Sequence, residues 1–449
     1  MLRLAARGDW FLDLFTSEAE KLIDVFPEQR GRPRRGLPGY WWVPGLPEPP
    51  GEAPVAAVDG GGGVLPLRGG GAVYVARAYG YVEDGEPERL LELRYYPVRD
   101  SRVLDALRAW LEHRVALRLV QRLPPGGYLL MDGSLWVTVT AAFASLARLA
   151  SGSLQGLGGV YAGVLSAYLL ASVADLAEAA RGRGVRLLYV SKDHSMRVLK
   201  EKVLLDAVAE AVKGLRPLVE KALEWYPVHA RDALIEARRL VPSELRGLYD
   251  AALDQSYRDP VFVDDAAGRG PGYTWVVHIP PPRRVARLLA AGGTRGLLER
   301  AAAKAEQLLS PGEQAVEEIK AASTKAGLLD QLPGPRMLYL RPAPGDPLLM
   351  VEQPGAPGSY YSGGRSLEEP GTGEAEAVAL LTSQYAGEEY YNIPLVAAHI
   401  NATLDGATLR RYAGLLESLA AARGVRIPVA RREAMARRLR RRRRKNPWV

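Results

Sequence analysis

The chain has 449 residues, of which 47% are hydrophobic and 24% charged, a globular composition long enough to bury a large core and to hold two or three domains. A net charge of +8 suits a polyanionic partner, and much of the surplus is concentrated in the last twenty or so residues, so that the body is closer to neutral. The absence of cysteine excludes disulfides, thiolate zinc sites and cysteine nucleophiles, leaving Asp, Glu and His as the side chains able to hold a metal.

The N-terminus runs through Asp9, Asp13 and Glu18 without the apolar core of a signal peptide, which makes a cytoplasmic location the default expectation. Residues 10–26 place Trp10, Leu14, Ala19, Leu22 and Phe26 at helical spacing and predict an amphipathic helix. A Pro- and Gly-rich segment, 27–54, follows. Its Tyr40-Trp41-Trp42 could stack on bases, although the more usual use of such aromatics is to cover the core.

Val55 to Val58 is an apolar run that reads as a buried strand ending at Asp59, followed by a glycine hairpin and two further strands, 73–81 and 90–96, in an antiparallel meander. A helix from Ser101 carries Leu104, Leu107, Leu111, Val115 and Leu119 on one stripe, with Glu112 beside it. Tyr128 to Met131 is a second apolar run, ending at Asp132-Gly133-Ser134. The uncharged stretch between Arg148 and Asp175 is long enough to span a bilayer, yet its glycines and serines favour a buried helical pair around a turn at 156–159. No membrane association is expected.

Val185 to Val190 is a further buried strand, ending in Ser191-Lys192-Asp193. Residues 200–258 and 283–328 are helical, 273–279, 336–341 and 348–351 read as strands, and 353–374 reads as a mobile Gly/Pro-rich loop. Tyr390 to His399 precedes a helix over 408–423, and the tail Arg431-Arg432, Arg437-Arg438 and Arg440 through Lys445 closes the chain.

Two apolar runs ending in Asp-Gly would set two carboxylates at strand ends, an arrangement suited to Mg²⁺ or Mn²⁺, although Asp-Gly equally marks a plain turn. Taken in order, Asp59, the helical Glu112, Asp132-Gly133-Ser134-Leu135, Ser191-Lys192 and Tyr391 with His399 eight residues on resemble the NurA family of archaeal DNA nucleases. The resemblance implies an α/β fold with a ribonuclease H-like mixed sheet flanked by helices. It also implies a Mn²⁺-dependent nuclease, with 5′–3′ exonuclease activity on single- and double-stranded DNA and single-strand endonuclease activity. Members of that family form homodimers and act with HerA, a hexameric translocase, in the resection of DNA ends for recombination. Carried over by position, the acidic cluster falls on Asp59, Glu112 and Asp132, completed by Tyr391 and His399. Domain limits follow as 1–54 for the N-terminal segment, 55–428 for the nuclease domain with a helical insert at about 200–330, and 429–449 for the basic tail.

Two metal ions ~4 Å apart can activate the attacking water and stabilise the leaving oxygen of a phosphodiester. In that scheme Asp59 bridges them, while Asp132 and Glu112 each complete one coordination sphere. Gly60 and Gly133, with Ser134, would let a phosphate approach the backbone. His399 is either a metal ligand or a general acid/base, its plain alternative being a hydrogen-bonded core residue. Lys192 fits a point-charge contact to phosphate or a surface lysine in a turn; Asp193 and His194 are adjacent candidates outside the family pattern. The tail arginines could contact DNA, dock an acidic face of the translocase, or stay solvated. Two other functions compete. Val-Asp-Gly-Gly-Gly-Gly also resembles the first phosphate loop of actin-like ATPases and sugar kinases, and a non-catalytic DNA-binding subunit could keep the same fold.

Overall fold

The computed structural model describes residues 12–23 and 37–427 except 50, 52, 69, 84, 154–155, 193, 291, 311–312 and 363. The basic tail, Asp193 and residues 27–36, 50 and 52 of the proline-rich segment therefore lie outside the described residues. A first helix, α1 (Leu12–Ile23), falls within the predicted span, and β1 (Trp42–Pro44) is a short strand in the aromatic segment. Trp41 is fully buried and stacks on Phe262 with ring centroids 5.0 Å apart, so this segment does cover the core.

The meander consists of β2 (Val55–Pro66), β3 (Ala72–Val82) and β4 (Glu88–Tyr96). It differs from the sequence expectation at one important place: β2 does not stop at Asp59 but continues through Gly60–Gly63, and each of those glycines pairs with β3. Helix α2 (Ser101–Val120) follows, capped by Asp100, whose carboxylate accepts from Arg102 N. Leu107, Leu111, Val115 and Leu119 are fully buried beneath it, each contributing ~1.5–3 kcal/mol of apolar burial. Then come β5 (Tyr128–Asp132), the helical pair α3 (Leu135–Ser151) and α4 (Leu157–Gly182), and β6 (Arg186–Ser191). The break in the pair falls before Leu157 rather than over 156–159, so that Gly158 and Gly159 are buried inside α4. α4 is long and apolar enough to cross a membrane, but 83% of its most apolar 18-residue window is buried inside this fold.

Strand β5 pairs parallel to β2, and β6 parallel to β5. Counted from β2, the five strands stand in the order 3-2-1-4-5, the first three antiparallel and the last two parallel to the first, which is the ribonuclease H-like arrangement. Five helices come next: α5 (Val198–Ala211), α6 (Arg216–Leu223), α7 (Arg231–Ala237), α8 (Arg246–Leu253) and α9 (Asp259–Ala267). The strand expected at 273–279 is broken at Trp275 into β7 (Gly272–Thr274) and β8 (Val276–His278). Helices α10 (Arg283–Leu289), α11 (Gly293–Leu308), α12 (Gln314–Ser323) and α13 (Ala326–Leu329) lead to β9 (Pro335–Arg341) and β10 (Leu349–Pro354). These complete one mixed sheet in the order β1-β7-β9-β10-β6-β5-β2-β3-β4, with β8 joined to β9.

The segment expected as a mobile loop, 353–374, is packed instead. Tyr360 is fully buried and stacks on Phe143, Arg365 pairs with Glu201 at 2.7 Å, and β11 (Leu367–Glu368) adds to β8. The last helices among the described residues are α14 (Thr372–Ser383), α15 (Ile393–Ala402) and α16 (Gly406–Ala422). Helix α15 was not expected from sequence; Asn392 caps it, accepting from Leu395 N at 3.0 Å, and Pro394 occupies its first turn. The sheet is thus covered on one face by α2, α3, α4 and α11 and on the other by α14 and α15.

Candidate metal centre

The register of β2 against β5 sets the site. Val58 lies opposite Met131, so the next residue on each strand, Asp59 and Asp132, are neighbours. Side chains alternate along a strand, and because Ala57 and Leu130 face the α14/α15 side, both aspartates face it too. β5 stops at Asp132, which leaves β2 to run on past the site without its parallel partner, paired to β3. Asp59 is therefore placed where its parallel partner ends, although its own strand does not end there.

Helix α15 supplies the third group. His399 Nδ1 lies 2.6 Å from Asp59 Oδ2, while Asp59 Oδ1 accepts from Gly60 N at 2.6 Å. Buried Tyr391, just before α15, donates its hydroxyl to Asp132 Oδ1 at 3.0 Å. Lys192 Nζ, past the end of β6, sits 4.8 Å from the centre of the Tyr391 ring. One ligand atom each from Asp59, Asp132 and His399 lie within 4.8 Å of one another, close enough to share a cation. Burial and the neighbouring Asp59 raise the Asp132 carboxyl, against the opposing pull of Tyr391, Lys192 and His399.

Glu112 approaches from the other side of β2. Its carboxylate fills the space that a β-carbon at Gly60 would occupy, and Arg108 Nε is 3.7 Å away. It is not one of the three groups set within 4.8 Å of one another. Burial pushes Glu112 up to about 8, Arg108 opposes this, and the charges of Asp59 and Asp132 add to it. Two raised carboxyls beside a third acid are short of positive charge, and a divalent cation supplies it with the oxygen and imidazole donors present. The residues fit a bound metal ion.

The remaining sequence candidates have separable roles. Gly133 adopts φ of 104°, which requires glycine at the turn after β5, and the space beside it is open. Here the turn reading of Asp-Gly holds. Ser134 caps α3, its Oγ accepting from Val137 N at 3.2 Å. The room read at Gly60 for a phosphate is occupied by Glu112. His194 stacks on Tyr339 at 4.8 Å, within the cluster formed around α5 to α9.

Two residues near the site escaped sequence reading. Glu352 on β10 is fully buried, pushed up to about 7 by burial, and accepts from Leu135 N at 2.6 Å at the start of α3. Its signal was the one applied to Asp59 and Asp132, an acid ending an apolar run, Leu349-Met350-Val351. Arg77 on β3 donates through Nε to Ala402 O at 2.7 Å and through Nη2 to Thr403 O, at the end of α15. No local pattern pointed to it.

Gly60–Gly63 form no phosphate loop. They are interior to β2, with Glu112 and Leu104 of α2 pressed on Gly60 and Gly62, and Ala402 of α15 and Leu409 of α16 on Gly61 and Gly63. That removes the observation on which the actin-like reading rested.

The family described as NurA domain matches residues 53–404. No curated protein matches the chain by sequence. Among solved structures the chain is similar to the NurA nuclease from Sulfolobus solfataricus, at 13% identity over 93% of this chain and 98% of that one, with a TM-score of 0.49. It is also similar to NurA bound to dAMP and manganese, at 15% identity over 90% and 95% of the two chains and a TM-score of 0.39. A type 1 RNase H with the type 2 active-site motif, LC9-RNase H1, aligns at 12% identity over 32% and 67% with a TM-score of 0.18.

Proposed function

The chain belongs to the NurA family, and from that premise we propose that it is a metal-dependent DNA nuclease whose site is built on Asp59, Asp132 and His399. The observation that carries the reading is the convergence of those three ligand atoms within 4.8 Å of one another, from β2, β5 and α15. Glu112, Tyr391 and Lys192 complete the site. A bound divalent cation supplies Lewis-acid polarisation of the phosphate and a water of lowered pKa.

The chain's own residues do the rest. Asp59 and Asp132 offer adjacent carboxylate oxygens, and Tyr391 holds Asp132 in place by its hydroxyl. Lys192 sets an ammonium beside the site, where it meets a phosphate as a point charge. His399 is half-exposed, and with Nδ1 on Asp59 its Nε2 is left toward Thr403 Oγ1 at 3.4 Å, able to bind metal or pass a proton. Glu112 adds negative charge from behind β2.

The resemblance in motif order supports finer assignments: Mn²⁺ as the preferred ion with Mg²⁺ as the substitute, 5′–3′ degradation of single- and double-stranded DNA, and internal cutting of single strands. It likewise supports a homodimer acting with the HerA translocase in DNA-end resection, and the charged N-terminal residues Asp9, Asp13 and Glu18 support a cytoplasmic location. Residues 55–428 are assigned to the nuclease domain, 1–54 to an N-terminal segment and 429–449 to a basic tail.

The test is degradation of labelled DNA with Mn²⁺, Mg²⁺ or chelator, by the wild type and by Asp59→Ala. Cleavage that needs metal and is lost in the variant is expected. Cleavage in chelator, or cleavage by Asp59→Ala, overturns the metal-site assignment, and ATP binding without cleavage would favour a kinase-like enzyme.

A further inference from the structure

His399 lies in the last turn of a helix whose C-terminal end, one turn on, is anchored by a separate device. On β2, Asp59 and Gly61 are two residues apart and face the same side, ~6.6 Å along the strand. On α15, His399 and Ala402 are three residues apart, ~4.5 Å along the helix and on one face. The first pair meets as the Asp59–His399 hydrogen bond. The second meets as direct packing of Ala402 O on Gly61, so close that a β-carbon at Gly61 would overlap the carbonyl backbone.

The third anchor is Arg77. It lies directly across the antiparallel register from Gly61, so its side chain emerges on the same face of the sheet. Its guanidinium takes the carbonyls of both Ala402 and Thr403. These are among the last carbonyls of α15, which the helix itself cannot satisfy, and a cation there also meets the negative end of the helix dipole. His399 O is satisfied separately, by Thr403 N at 2.9 Å and Thr403 Oγ1 at 2.8 Å.

We propose that Arg77 is a positioning residue for His399: by clamping the end of α15 onto Gly61 it sets the imidazole against Asp59 and so tunes the metal affinity of the site. The proposal rests on the metal-site reading above. Arg is suited to the task because its rigid fork reaches two carbonyls at once, which a lysine cannot do in the same geometry. Groups that orient metal ligands in this way typically change metal affinity ~10–100-fold when removed.

The experiment measures binding of Mn²⁺ alone to the full chain, by the loss of the free-ion electron paramagnetic resonance signal, with thermal melting as a control for folding. Arg77→Met is expected to weaken Mn²⁺ binding ~10-fold or more with the metal-free melting temperature maintained, and Arg77→Lys to recover part of the loss. In a His399→Ala background Arg77→Met should add nothing, since the effect is routed through that imidazole. An unchanged affinity in Arg77→Met, or a full additional loss in the His399→Ala background, overturns the proposal. If Arg77→Met does not fold, Arg77→Lys carries the same cycle, and an affinity equal to wild type in it overturns the proposal likewise. Asp59→Asn separates the two levels. Loss of Mn²⁺ binding there with Arg77→Met unaffected defeats only the positioning role, whereas retained binding in Asp59→Asn defeats the metal site and the proposal together.

Discussion

Asp59 and His399 stand 340 positions apart in the chain, and Oδ2 of one lies 2.6 Å from Nδ1 of the other. The pairing ties the first strand of the ribonuclease H-like core to a helix near the end of the chain. The site is therefore complete only when α15 has docked on β2. Arg77 and Gly61 secure that docking at the same C-terminal end of the helix, within one turn of His399.

Stability of the metal-free chain should depend on pH through Glu112. Its carboxyl has an ordinary value of 4.5 and rises to about 8 in the folded state, so the folded chain holds a proton that the unfolded chain has released across that window. Stability from this group accordingly falls as pH rises from about 4.5 to about 8. Glu112→Gln should raise the melting temperature in chelator at the alkaline end, by ~1–3 kcal/mol in stability, and much less at the acid end. Melting scans at both ends check this, and an equal effect at both refutes it.

Tyr391→Phe removes the hydroxyl that stabilises ionised Asp132. The Asp132 carboxyl, already raised by burial and Asp59, should rise further. A hydrogen bond to a charged group is worth ~1.5–3 kcal/mol, so cleavage should drop ~10-fold or more near neutral pH, and the acid limb of the pH–rate profile should move to higher pH. A fall in rate without that movement would assign Tyr391 a role other than holding Asp132.

Gly61→Ala and Gly63→Ala should differ although both lie on the same face of β2. At Gly61 a β-carbon meets the backbone of Ala402, which cannot move without α15; at Gly63 it meets Leu409 Cδ2 at 2.7 Å, the far end of a flexible side chain. Gly61→Ala should cost ~1–3 kcal/mol and weaken Mn²⁺ binding, while Gly63→Ala costs less and leaves binding intact. Denaturant midpoints and Mn²⁺ titration measure both, and identical behaviour would show that α15 is not seated by Gly61.

Removal of residues 431–449 deletes the densest run of positive charge in the chain. If the tail binds DNA, the slope of log affinity against log salt should become shallower by ~0.9 for each phosphate that the tail neutralises. An unchanged slope together with weaker association with the translocase would place the tail on the protein partner instead, and no change in either would leave it a solvated tail.

Period-two and helical hydrophobic patterns were enough to place the meander, the Glu112 helix, the buried pair α3 and α4, and the strand ending at Asp132, because each buries a local face whose spacing is written in consecutive residues. The Asp59-Gly60 segment was misplaced for the opposite reason. Four glycines in a row favour a turn when judged locally, but here they are held extended because α2 presses on one side of the strand and α15 and α16 on the other. Helix α15 was missed although Asn392 and Pro394 are ordinary start signals, its apolar Leu395-Val396-Ala397-Ala398 being too short a run to separate helix from strand.

The sequence by itself determined which side chains were available for chemistry: no cysteine, a few acids closing apolar runs, and one histidine eight residues after a tyrosine. Tertiary structure alone decided which of them meet. The parallel register of β2 and β5 made neighbours of Asp59 and Asp132, strand alternation sent Gly60 to the opposite face and let Glu112 in behind it, and α15 brought His399 across the sheet. Those relations depend on contacts between residues far apart in the chain, which no local spacing encodes.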